Sequence, residues 1–63
     1  MKVELVDHRG LDFSYKATAD DGRFLFHTVR MTVQRPENER RAREYVTALA
    51  ERRFEIGVDV YGA

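Results

Sequence analysis

The chain has 63 residues, no cysteine and one proline, which allows one domain at most, over residues 1–63, and excludes both a disulfide framework and a thiolate zinc site. Eleven basic residues balance eleven acidic ones, so the long-range field of a typical nucleic-acid or anionic-membrane binder is missing. No apolar run nears the roughly 18 residues of a membrane helix, and Met1-Lys2-Val3-Glu4 lacks the apolar core of a signal peptide.

These bounds predict a soluble, cytoplasmic protein, since a reducing compartment suits a cysteine-free chain. Two lysines and nine arginines make up the basic set, a bias that fits a GC-rich genome. A domain of about 60 residues buries only about 60% of the surface its unfolded chain exposes. With disulfides and thiolate zinc excluded, a partner subunit is the expected supplement to so small a core.

In chain order, Val3 and Leu5 alternate with Lys2 and Glu4, which predicts a half-buried strand over 2–7. Asp7-His8-Arg9-Gly10 follows as a turn. Leu11, Phe13, Tyr15, Ala17 and Ala19 then share one face, and Asp12, Ser14, Lys16 and Thr18 the other, as in a strand buried on one side. Asp20-Asp21-Gly22 supplies a hairpin turn, and the third strand runs from Arg23 to Gln34.

That third strand changes phase. Phe24 and Phe26 lie on even positions, whereas Val29, Met31 and Val33 lie on odd ones, and opposite parities point to opposite faces. A bulge at His27-Thr28 resolves the conflict by turning all five inward, and leaves Leu25 as the one apolar residue of the strand facing out. A strand apolar on both faces is the competing reading, disfavoured because the other strands have polar outer faces.

Pro36 is expected to open a helix. Glu37 and Glu39 stand near its start and Arg52 and Arg53 near its end, as the helix dipole prefers. Ala42, Tyr45, Val46 and Leu49 form its apolar stripe. Phe54, Ile56, Val58 and Val60 alternate with Glu55, Gly57 and Asp59, which predicts a fourth strand. The expected fold is α+β: a four-stranded, mostly antiparallel sheet in β-β-β-α-β order, with one helix packed on one face. A right-handed crossover makes the last strand parallel to the third and, by alternation, to the first. The 4-1-2-3 order is preferred because it covers the N-terminal strand.

Chemistry-bearing residues are few. His8 reads as a solvated turn residue, and His27, at the expected bulge, has no identifiable catalytic partner. Ser14 lies mid-strand without a nucleophile elbow, Asp20 and Asp21 are ordinary turn acids, and the four glycines are single and far apart, unlike a phosphate loop. No catalytic residue, cofactor or metal site is assigned, and an enzyme is not expected.

Nucleic acid is the alternative partner, through Arg40, Arg41, Arg43, Arg52 and Arg53 on the helix. Interleaved Glu37, Glu39, Glu44 and Glu51 leave residues 36–53 only one charge positive, and the expected outer sheet face offers almost no aromatic for base stacking. The reading that remains is a small protein-interaction module, a regulator, inhibitor or accessory subunit, expected to pair with itself as a homodimer or with another protein. Its contact surface is expected at Leu25, His27, Thr28, Arg30 and Thr32, on the edge and outer face of the third strand.

Overall fold

Three strands and one helix follow one another along the chain: β1 (Lys2–Arg9), β2 (Asp12–Thr18), β3 (Phe24–Arg30) and α1 (Asn38–Ile56). The computed structural model describes residues 1–62. The strands form an antiparallel meander in the order β1-β2-β3, and the helix covers one face, giving an α+β fold. β2 carries the clean alternation of its sequence. Phe13, Tyr15 and Ala17 are buried under the helix, while Asp12, Ser14, Lys16 and Thr18 lie on the opposite face.

The helix buries one line of residues at constant i, i+4 spacing: Asn38, Ala42, Val46, Ala50 and Phe54. Two of these are alanines, which lets the helix backbone approach the sheet. The core has two linked halves. Phe13, Tyr15, Ala42 and Val46 form one, Ala17, Leu25, Ala50 and Phe54 the other, and Val3 packs against both. Tyr15 is fully buried, its hydroxyl donates to the Glu39 carbonyl at 2.9 Å, and the Arg43 guanidinium stands 5.4 Å from its ring centre. Burial raises its pKa above the ordinary tyrosine value, with Arg43 opposing, so the ring stays neutral. Arg43 also donates to the Val3 carbonyl of β1.

Several expectations are corrected. β3 has no bulge: its register against β2 is unbroken from Phe24↔Thr18 to Arg30↔Asp12. Leu25, His27 and Val29 therefore face the helix, and Phe24, Phe26, Thr28 and Arg30 face out. Leu25 is 1% exposed and Phe26 57%, the reverse of the expected arrangement. A bulge does occur, in β1, where the register slips between Leu5 and Asp7 and Val6 is the extra residue. β1 also continues to Arg9, so His8 is a strand residue, its ring stacked 4.0 Å from that of Phe13. β3 stops at Arg30, which leaves Thr32 and Val33 in the loop before the helix.

Among the described residues there is no fourth strand. Phe54, Glu55 and Ile56 complete the helix, and Gly57 caps it with φ 72° and an N–H bond of 2.7 Å to the Arg53 carbonyl. This is the left-handed C-terminal cap for which glycine is preferred. The segment that follows turns back to β3. Val60 packs against the second half of the core, and Tyr61 makes an isolated antiparallel bridge to Phe24, with two backbone bonds of 2.8 Å. The expected 4-1-2-3 order is thus replaced by a short tail on the opposite edge. Likewise the helix begins at Asn38, two residues after Pro36.

Candidate protein-interaction edge

In an antiparallel ladder the backbone groups of successive residues point alternately to the two sides of the strand. Met31 donates to Leu11 at 2.8 Å, so the odd-numbered residues of β3 point at β2. The even-numbered ones point away: Phe24 spends both its groups on Tyr61, and Phe26, Thr28 and Arg30 present theirs to the open side. Among the described residues no backbone partner meets those three.

The other edge is defended. β1 carries Lys2, Glu4, Asp7 and Arg9 along its outer face, with Lys2 3.7 Å from Glu4 and Arg9 3.1 Å from Asp7. Its ladder is broken at Val6. Alternation turns the Val3 backbone to the open side of β1, and there Arg43 caps its carbonyl. Charge, a bulge and a capped carbonyl are the usual protections of an exposed strand. β3 has no bulge and, after Phe24, no cap.

On the outer face Arg30, Thr28 and Phe26 meet their register partners on β2, and Phe24 meets the diagonal neighbour Lys16. Arg30 stands 3.9 Å from Asp12, Thr28 Oγ1 shares a 2.7 Å hydrogen bond with Ser14 Oγ, and the Lys16 ammonium lies 5.0 Å and 5.9 Å from the ring centres of Phe24 and Phe26. The two phenyl rings meet edge to face at 5.9 Å, and Tyr61 lies 6.0 Å from Phe24. An aromatic group therefore stands on the outer face where the sequence reading expected almost none. Its surroundings are nearly balanced, with Lys2, Arg9, Lys16 and Arg30 against Glu4, Asp7 and Asp12 on that face.

On the inner side of the same edge the helix adds an apolar flank. Tyr45, Ala48, Leu49, Arg52, Arg53 and Ile56 line an open groove, with Tyr45 57% and Ile56 65% exposed. The groove lies on the β3 side, because the Tyr45 ring is 6.0 Å from that of His27 whereas Arg43 reaches β1. His27 is half-buried there, and its pKa is held below the ordinary value of 6.5 by burial and by the nearby Arg53 charge.

The expected contact residues are thus divided. Thr28 and Arg30 lie together on the open edge. Leu25 is core, His27 faces the helix beside Tyr45, and Thr32 lies beyond the strand. Phe26, Tyr45 and Tyr61, which the sequence reading did not place at this edge, stand on it or beside it. Phe26 was legible in the odd parity shared by Leu25, Val29, Met31 and Val33, which places it outside without a bulge. His8 Nε2 donates to the Gly10 carbonyl at 2.9 Å. Among the described residues no group of three His, Cys, Asp or Glu side chains comes together, and no helix is long and apolar enough to cross a membrane. Comparison with known proteins found no matching family model, no matching curated protein and no matching solved structure.

Proposed function

We propose that this chain is a small, non-enzymatic protein-interaction module, a regulator, inhibitor or accessory subunit, that binds by adding a strand to β3. The observation that supports this reading is the contrast between the two edges. β1 is charged, bulged and capped, whereas β3 offers unpaired backbone at Phe26, Thr28 and Arg30 beside an apolar helix flank. An extended partner gains main-chain hydrogen bonds along such an edge and takes specificity from neighbouring side chains. The partner is a second copy of the chain or another protein. Cytoplasmic residence belongs to the same proposal, supported by the absence of cysteine.

The test is affinity capture from the native host with wild-type and Thr28→Pro baits, followed by mass spectrometry. The Thr28 N–H points to the open side, so proline is tolerated there while deleting a donor from the edge. A discrete partner lost with Thr28→Pro supports the reading; a partner retained equally by both baits refutes the edge as its site.

One observation favours a second reading. Phe24, Phe26 and Tyr61 with Lys16 form an aromatic and cationic group on the outer face, the combination on which single-stranded bases stack. It moves the nucleic-acid alternative from the arginines of the helix to the sheet. Titration of a labelled mixed-sequence single strand at rising salt decides it: salt-sensitive binding weakened by Phe26→Ala favours this reading, and no binding at low salt removes it.

A further inference from the structure

We infer that two copies of the chain pair through β3 across a two-fold axis at Thr28, and that Tyr61 sets this register by occupying the start of the edge. The inference rests on the edge-binding reading above and adds the identity and alignment of the strand that binds.

The argument is one of parity and length. Backbone pairing across the open edge must match even-numbered residues of one copy with even-numbered residues of the other, because only those point outward. Phe24 is withdrawn from the set by its two bonds to Tyr61, and the strand ends at Arg30. Phe26, Thr28 and Arg30 remain. A two-fold axis at Thr28 uses all three: Thr28 faces its own copy, and each Phe26 faces an Arg30, for about six backbone hydrogen bonds. Moving the axis to His27 sets Arg30 against Phe24, which Tyr61 already holds. Moving it to Val29 sets Phe26 against Thr32, which is off the strand. The tail thus leaves one alignment that engages every free position.

The side chains agree with that alignment. It places an Arg30 guanidinium beside a Phe26 ring twice, on the outer face, a pairing of cation and ring that exposed sites favour. On the inner side, the helix lies over β2, since Arg43 reaches β1 and Tyr45 meets His27 on β3. In the joined six-stranded sheet the two helices then stand about three strand spacings apart, roughly 14 Å. Helices in direct contact are about 8–10 Å apart. The remaining cleft is walled by Tyr45, Leu49 and Ile56 from each copy, which are large enough to fill it.

The chain has no cysteine, so single cysteines report the register directly. Facing residues in a hydrogen-bonded pair are about 5.5 Å apart between Cα atoms, inside the range a disulfide spans. Thr28→Cys is expected to cross-link to itself under mild oxidation. Phe26→Cys is not, because the two copies of position 26 lie about 14 Å apart along the strands, yet a mixture of Phe26→Cys and Arg30→Cys is expected to form the mixed disulfide. Adding Tyr61→Pro, which deletes one bridge bond and frees Phe24, is expected to move the axis to His27, so that Phe26→Cys forms its mixed disulfide with Thr28→Cys rather than with Arg30→Cys.

Light scattering at the highest soluble concentration gives a dimer mass if the inference holds. A monomer mass overturns it, and leaves the edge-binding reading to the capture experiment with Thr28→Pro. A dimer that does not cross-link at Thr28→Cys overturns the register. A mixture of Phe26→Cys and Arg30→Cys that cross-links equally with and without Tyr61→Pro overturns the role of the tail.

Discussion

Two residues carry more of the fold than their polar character suggests. Asn38 is 3% exposed and its side-chain amide donates to the Val33 carbonyl at 2.7 Å, which ties the loop after β3 to the first turn of the helix. Asn38→Ala removes the donor of this part-buried bond. The expected cost is about 0.5–1.5 kcal/mol, read as a lower urea midpoint at unchanged slope. His27 carries a pH signature. Its pKa is lowered in the folded state by burial and by Arg53, so below the ordinary value of 6.5 the unfolded chain binds the proton more readily. Folding stability is then full above that value and falls as pH drops through the folded pKa. Thermal melts between neutral pH and about pH 5, a window set by the ordinary histidine value, should lose stability in the wild type. The loss should be smaller in His27→Gln, and an equal loss in both would refute the assignment.

At the scale of elements, the ends of α1 and its tail decide how the chain returns to the sheet. Gly57→Ala introduces a Cβ that meets nothing, so its cost is the left-handed backbone alone, about 1 kcal/mol. Gly62→Ala adds a clash: the new Cβ would stand 3.1 Å from the Gly22 carbonyl oxygen and 3.3 Å from the Phe24 ring. It is expected to loosen the tail, seen as faster amide exchange at Tyr61 with the helix intact. These positions also show why the last segment was misread. Phe54, Ile56, Val58 and Val60 alternate as a strand does, but Phe54 equally continues the line Ala42, Val46, Ala50 at i+4. Over so few residues periodicity does not separate the two. Gly57, three residues beyond Phe54, was the deciding signal, because a glycine just past an apolar stripe is a helix stop. β2 posed no such conflict. Its alternation, the hairpin at Asp20-Asp21-Gly22 and the helix from the Ala42–Val46 stripe onward were all legible.

At the scale of the whole molecule, the outward Phe26 runs against the pattern of its neighbours. The other strands have polar outer faces, and a bulge that turns Phe24 and Phe26 toward the helix is the reading that extends this pattern to β3. Burial of Leu25 fixes the opposite phase, and the bulge lies instead in β1, at Val6. Leu25 packs with Ala17, Ala50 and Phe54. Leu25→Ala is therefore expected to destabilise the fold by about 2–5 kcal/mol, whereas Phe26→Ala should cost far less. Denaturant unfolding of the two variants compares them directly, and equal losses would contradict the observed phase. The candidate edge was legible only in part: Thr28 and Arg30 follow from strand alternation, but Tyr45 and Tyr61 reach it from elements distant in sequence.

The bridge between Phe24 and Tyr61 gives the outer boundary of the sheet two lengths. Docked, the tail shields the start of β3. Peeled away, it bares the backbone of Phe24 next to Phe26, and a run of unpaired β-prone residues is the kind of template on which chains stack without limit. Loosening the last few residues should therefore shorten the lag before fibrils appear, even where the melting temperature barely moves. On that outcome the tail would serve as a guard against runaway assembly as well as a part of the fold.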